Sequence, residues 1–325
     1  MPSSPDLAAL ERLITRATGA SAVELGERVQ VLWSGYGEIR RAALSGAAAA
    51  SVIVKYVVPP SGAAQSAAEA RSHRRKLRSY EVERAFYRTY AARCGAGCRV
   101  PAALHVGAEG ERTLLVLEDL DAAGFGLRRS RVSAIELQAC LRWLAEFHAT
   151  FLGELPESLW KVGTYWHLAT RPDELRAVSD AALRRAAPLL DERLTRARYR
   201  TLVHGDAKLQ NFCFTHGGSE VAAVDFQYVG GGVGVKDVAY FLTSCLPARE
   251  LERDADRYLD DYFRQLRAAV GSRNTECDFP ALEAEWRDLY PLACADFCRF
   301  LIGWAGDGAR DAYLERVTRA VLARL

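Results

Sequence analysis

The chain has 325 residues, half of them hydrophobic and 26% charged, which fits one large two-lobed unit or two compact domains and allows a sizeable core. The formal net charge is +2, so no overall field demands nucleic acid or an anionic membrane as partner. Eight cysteines and six histidines are scattered. Neither Cys94/Cys98 nor Cys294/Cys298 has Cys-x-x-Cys spacing, so we expect ordinary thiols in a reducing compartment, without a zinc set or disulfide framework.

The N-terminus is polar, and Leu7 to Ala20 is an amphipathic stretch interrupted by Glu11, Arg12 and Arg16, which does not read as a signal peptide. No run reaches the ~20 apolar residues of a membrane span. A soluble, cytoplasmic protein is expected, and its oligomeric state is not legible.

In chain order, Pro5 to Thr18 reads as a helix. Val29 to Ser34 and Ser51 to Val58 read as strands, rich in β-branched and aromatic residues, with a turn at Ser34-Gly35-Tyr36-Gly37-Glu38 between them. Ser66 to Arg93 is a long charged helix. Pro101 to Val106 and Thr113 to Glu118 are further strands. Val132 to Leu152 and Pro172 to Arg198 read as helices, followed by short apolar segments at 201–203, 212–214 and 221–224. Three helices close the chain, near 248–270, 280–304 and 310–325. This order predicts an α+β fold, with a strand-rich part over 1–118 and a mostly helical part over 119–325.

The segment Leu202-Val203-His204-Gly205-Asp206-Ala207-Lys208-Leu209-Gln210-Asn211 carries the strongest chemical signal, followed after a short apolar strand by Asp225-Phe226-Gln227. Phosphoryl transfer needs a carboxylate near the attacking hydroxyl and oxygen ligands for Mg²⁺ on the phosphates. An Asp and an Asn five apart on one loop, with another Asp after a strand, can converge to supply them.

His-Gly-Asp-x-x-x-x-Asn resembles the catalytic loop of aminoglycoside phosphotransferases and choline kinases. Asp225-Phe226-Gln227 stands where related protein kinases place Asp-Phe-Gly, and its Gln looks like the ecdysteroid-kinase-like group. Glu118-Asp119-Leu120 and Trp143 to Ala149 also resemble that group. The resemblance spans roughly residues 30 to 305. It implies a bilobal protein-kinase-like fold and an ATP- and Mg²⁺-dependent kinase acting on a small-molecule alcohol. Asp206 would be the catalytic base, Asn211 and Asp225 the metal ligands, and Asp237 a brace for the loop. Glu118 and Leu120 would form a nucleotide-binding hinge. The alternative is a catalytically inactive kinase-fold protein acting as a nucleotide-binding or scaffold module.

Lys55 lies in an apolar strand, where a lysine costs desolvation unless it is partnered. Lys55 is one of five lysines among 43 basic residues. The family places there the lysine that meets the α- and β-phosphates, with a glutamate partner on the next helix. Glu83 is expected, since Tyr80, Tyr87 and Tyr90 share its helical face, with Glu69 and Glu81 as rivals. Gly35 and Gly37 sit where a phosphate-covering loop belongs, but an ordinary hairpin turn fits equally. Gly230 to Gly234 lacks Gly-Lys-Ser/Thr and is no Walker loop. His148 and His167 read as core or surface histidines, and Asp296 as a helix-surface carboxylate, with a substrate-facing one as the alternative.

Overall fold

The computed structural model describes residues 7–60, 66–273, 276–306 and 311–325. Five strands, β1 (Ala22–Val31), β2 (Gly37–Ser45), β3 (Ser51–Val57), β4 (Ala103–Glu109) and β5 (Arg112–Glu118), form one antiparallel sheet in the order β1-β2-β3-β5-β4. Alternation along the strands sorts their side chains between two faces. Val52 and Val54 of β3, with Leu114 and Val116 of β5, pack against Leu10 and Ile14 of helix α1 (Leu7–Thr18). Leu115 and Leu117 instead pack with Val82 and Phe86, at and just beyond the end of α2 (Ala67–Ala85). Lys55, opposite Leu115 in the register, is thereby turned toward α2.

Two expectations need correction here. The strand read at Val29 to Ser34 begins at Ala22, and a second strand, β2, fills 37–45. β1 is an edge strand with mostly exposed side chains, so it lacks the apolar run that marks a buried strand. The helix read over 172–198 is two, α4 (Pro172–Ala177) and α5 (Ala181–Thr195). Asp180 starts the second, its Oδ1 accepting from the Ala182 and Leu183 amides at 2.8 and 3.0 Å. Pro5, Asp6 and Arg310, included in expected helices, lie outside the described residues.

The remainder is helical: α3 (Ala134–Thr150), α6 (Val235–Cys245), α7 (Ala248–Ser272), α8 (Phe279–Ala305) and α9 (Ala312–Leu322), with two short pairs of strands. β6 (Thr201–Val203) pairs with β9 (Gly230–Gly232), and β7 (Phe212–Phe214) with β8 (Val221–Ala223). No helix among the described residues is long and apolar enough to cross a membrane. Trp143 and Phe147 of α3 stack at 5.0 Å, and Phe86 stacks on Phe226 at 3.9 Å, so one apolar cluster joins the end of α2 to the helical part. Helix α3 opens on a capping box between Ser133 and Glu136. Ser133→Ala should lower stability by about 1 kcal/mol, read as a fall in the urea midpoint at unchanged m-value.

Candidate active site

The loop from β6 to β7 carries the expected catalytic residues. Gly205 has φ +79°, and a Cβ there would lie 2.1 Å from the Tyr228 carbonyl oxygen, so only glycine fits. Asp237, in the first turn of α6, is fully buried and uses both oxygens on the loop. Its Oδ1 accepts from the Gly205 amide at 3.0 Å, and its Oδ2 from the His204 amide at 2.6 Å. The same Oδ2 lies 3.1 Å from His148 Nε2, and His148 Nδ1 meets the Tyr262 hydroxyl at 2.8 Å. His148 is thus a core residue, as expected. The Asp206 amide donates to His204 Nδ1 at 3.2 Å, so the ring proton sits on Nε2 and is donated to the Val224 carbonyl at 3.0 Å. Burial holds His204 below its ordinary pKa and keeps it neutral.

Asp206 is 6% exposed. Its Oδ2 accepts from Asn211 Nδ2 at 3.0 Å and from Lys208 Nζ at 3.1 Å. Burial pushes its pKa up to about 6, against the pull of Lys208 and with a further push from Asp225. Asn211 Nδ2 also donates to the Asp206 carbonyl at 2.7 Å. With both bonds made through nitrogen, its Oδ1 is the atom left to meet a cation. The Val224 amide donates to the Asn211 carbonyl at 3.0 Å, which brings Asp225 beside the loop. Asp225 has φ +68°, a backbone conformation uncommon outside glycine.

Lys55 completes the constellation. Its Nζ lies 2.7 Å from Glu83 Oε2, 3.0 Å from Oε1 and 3.9 Å from Asp225 Oδ1. Burial pushes the Lys55 pKa down, but the carboxylates of Glu83 and Asp225 outweigh it and raise the pKa overall. Burial pushes Glu83 up to about 6 despite Lys55, so both are charged at neutral pH. Of the rivals, Glu81 pairs with Arg78 at 3.1 Å and Glu69 sits in the first turn of α2.

The other expected residues stand apart from this cluster. Gly37 has φ +131°, and a Cβ there would meet the Tyr56 carbonyl oxygen at 2.0 Å, so the pairing of β2 with β3 itself requires this glycine. Gly35 has φ +72°, with Ser34 beside it held by Lys76 Nζ at 2.6 Å. The Glu118 carboxylate is taken up by Arg99 Nη2 at 2.5 and 2.6 Å, and Leu120 packs against Cys213 and Ala222. The glycine run 230–232 is strand β9.

Asp296 is no surface carboxylate. It is 1% exposed, with Arg299 Nη2 at 2.8 Å, Trp166 Nε1 at 3.1 Å and Lys236 Nζ at 3.6 Å. Its Asp-x-x-Arg spacing within an apolar helix was the signal of burial. Lys208, two residues beyond Asp206, had no role assigned from sequence.

Residues 45–271, more than half of the chain, match the phosphotransferase enzyme family. None of the curated proteins is recognisably similar in sequence. Among solved structures, a microcompartment-associated aminopropanol kinase is 14% identical, with 98% of this chain and 94% of that chain covered at a TM-score of 0.52, a likeness of fold. An aminoglycoside phosphotransferase from Streptomyces rimosus, in complex with ADP and streptomycin, is 19% identical over 89% of this chain and 99% of that one, with a TM-score of 0.47. A choline/ethanolamine kinase family protein from Mesorhizobium loti is 16% identical over 99% and 90%, with a TM-score of 0.45. The extent of the family match, together with the bilobal kinase-like architecture, decides the assignment: this chain belongs to the phosphotransferase enzyme family.

Proposed function

We propose that this protein moves the γ-phosphate of ATP to a hydroxyl of a small molecule, with residues 1–118 as the nucleotide lobe and 119–325 as the catalytic and acceptor lobe. The observation that carries this reading is the meeting of Lys55, from the sheet, with Asp225, beside the loop of Asp206 and Asn211. A buried carboxylate with pKa near 6 is unprotonated at neutral pH yet basic enough to take a hydroxyl proton. Lys208 steadies that carboxylate and adds positive charge beside it. Lys55, fixed by Glu83, offers an ammonium to phosphate oxygens.

One amide oxygen and one carboxylate suit Mg²⁺, which prefers oxygen donors and keeps much of its shell from water and phosphates. Among the described residues no cluster of three or more His, Cys, Asp or Glu offers a metal site of another kind. Asn211 Oδ1 and Asp225 would hold the ion, which supplies charge neutralisation on the phosphates when bound. Gly35, Gly37 and the main chain at Glu118 to Leu120 are proposed to border the nucleotide.

The test is ADP release from ATP across classes of alcohols, in Mg²⁺ and in excess EDTA. Release with at least one alcohol, abolished by EDTA and restored by Mg²⁺, is the expected result. ADP binding without release for any alcohol would instead mark an inactive nucleotide-binding protein. With a productive acceptor, kcat/KM should fall about tenfold per unit as pH drops below about 6, because protonated Asp206 cannot accept the proton. Lys208→Met removes a cation that lowers this pKa, so the acidic limb should move toward neutral pH. At pH 6 the variant should lose about tenfold relative to its own plateau. An unmoved limb would detach Lys208 from the titrating group.

A further inference from the structure

Asp225 Oδ1 receives a hydrogen bond from Gln227 Nε2 at 2.7 Å. The other end of that amide, Oε1, lies 3.1 Å from the Ser79 hydroxyl. Ser79 is buried and stands one helical turn before Glu83 on α2. We propose that Gln227 is a positioning residue, a neutral link that ties Asp225 to the helix carrying Glu83 and so sets the carboxylate for a nucleotide-bound cation. This rests on the phosphotransfer reading above.

Three observations carry the inference. First, the amide orientation is dictated by its neighbours: an ionised Asp225 oxygen must face N–H, which turns Oε1 toward Ser79. The single hydroxyl proton of Ser79 is shared with the Lys76 carbonyl at 2.8 Å, so the serine end is the weaker half. Second, Asp225 Oδ1 is held from two sides, by Gln227 at 2.7 Å and by the Lys55 ammonium at 3.9 Å. Oδ2 is then the oxygen presented to a ligand, and its direction depends on Oδ1 being fixed. A side chain one-third exposed would otherwise rotate among several orientations.

Third, α2 is already docked where the link meets it. Arg71, Arg75, Arg78 and Ser79 recur at one helical face. Arg71 meets Asp173, Arg75 the Thr170 carbonyl and Arg78 the Ser158 and Leu159 carbonyls. The Gln227 main chain is anchored as well, its carbonyl accepting from Trp160 Nε1 at 2.8 Å. The helix that the link meets and the Gln227 main chain are therefore both anchored, and the side chain can fix Asp225 against them.

The experiment measures ADP affinity by calorimetry, in Mg²⁺ and in EDTA, for wild type, Gln227→Met, Ser79→Ala and the double variant. Methionine keeps the stem and volume but removes both polar ends. In Mg²⁺, Gln227→Met should weaken ADP binding about tenfold, the scale of a hydrogen bond to a charged group. In EDTA its affinity should match wild type. Ser79→Ala should show a smaller loss with the same metal dependence, and the double variant should resemble Gln227→Met alone. Melting temperatures without ligand check that all variants fold. Equal losses with and without Mg²⁺ would make Gln227 a packing residue and overturn the proposal, as would no loss in either. Wild type that binds no ADP under both conditions would overturn the phosphotransfer reading itself.

Discussion

Asp206→Asn is expected to cut phosphate transfer by ~10² or more while leaving ADP affinity within a few-fold of wild type. The asymmetry follows from the partners of Asp206. Its side chain meets Lys208 and Asn211 of the loop and Tyr240 of α6, and no hydrogen bond or ion pair joins it to the Lys55–Glu83 pair. Asparagine has nearly the same shape, and with its Oδ1 in the place of Oδ2 it can still accept from both Lys208 and Asn211. It cannot take a proton. Turnover within a few-fold of wild type, measured as ADP release with a productive acceptor, would remove Asp206 from the chemistry. ADP affinity falling together with turnover would show that the substitution disturbed the loop, and the melting temperature would report it.

The chemistry was legible where it is local. Asp206 and Asn211 sit on one loop, and Asp225 follows one pair of short strands, so spacing allowed their convergence while the resemblance assigned their roles. Lys55 was legible because a charge in an apolar strand must have a partner, and helical periodicity selected Glu83 correctly. The supports of the site were legible only in part, since the resemblance named Asp237 as the brace of the loop but not its partners. Asp237 reaches His148 across 89 residues and Tyr262 reaches the same ring across 114. No local pattern announces such pairs. Asp296 was misread although Arg299 stands three residues on, because Trp166 and Lys236, which complete its surroundings, come from distant parts of the chain. The edge strand β1 was missed in part because it buries little.

Lys55→Met should separate the two roles proposed for the native residue. The first is ligand binding: without the ammonium, ADP affinity should fall by about 10- to 100-fold, the range of a charge-assisted contact. The second is neutralising Glu83, which is almost fully buried. In the native protein burial already raises the Glu83 pKa to about 6, even with Lys55 beside it. Removing Lys55 takes away the main opposing influence and moves that pKa further up. A carboxyl whose folded pKa exceeds its unfolded value binds its proton more tightly when folded. Its stability contribution is therefore greatest at low pH and is lost as pH rises through the folded pKa. Lys55→Met should accordingly lose about 3 kcal/mol or more at pH 8 and distinctly less at pH 6, measured by urea unfolding. Lys55→Met combined with Glu83→Gln removes the stranded charge, so most of the stability should return and its pH dependence should flatten. ADP affinity should not return, because the phosphates still lack their ammonium. Recovery of both in the double variant would mean that Lys55 serves only to neutralise Glu83. Lys55→Arg supplies the last control. The guanidinium restores charge but forks its donors in a plane, so it should mend stability in part while leaving ADP affinity well below wild type.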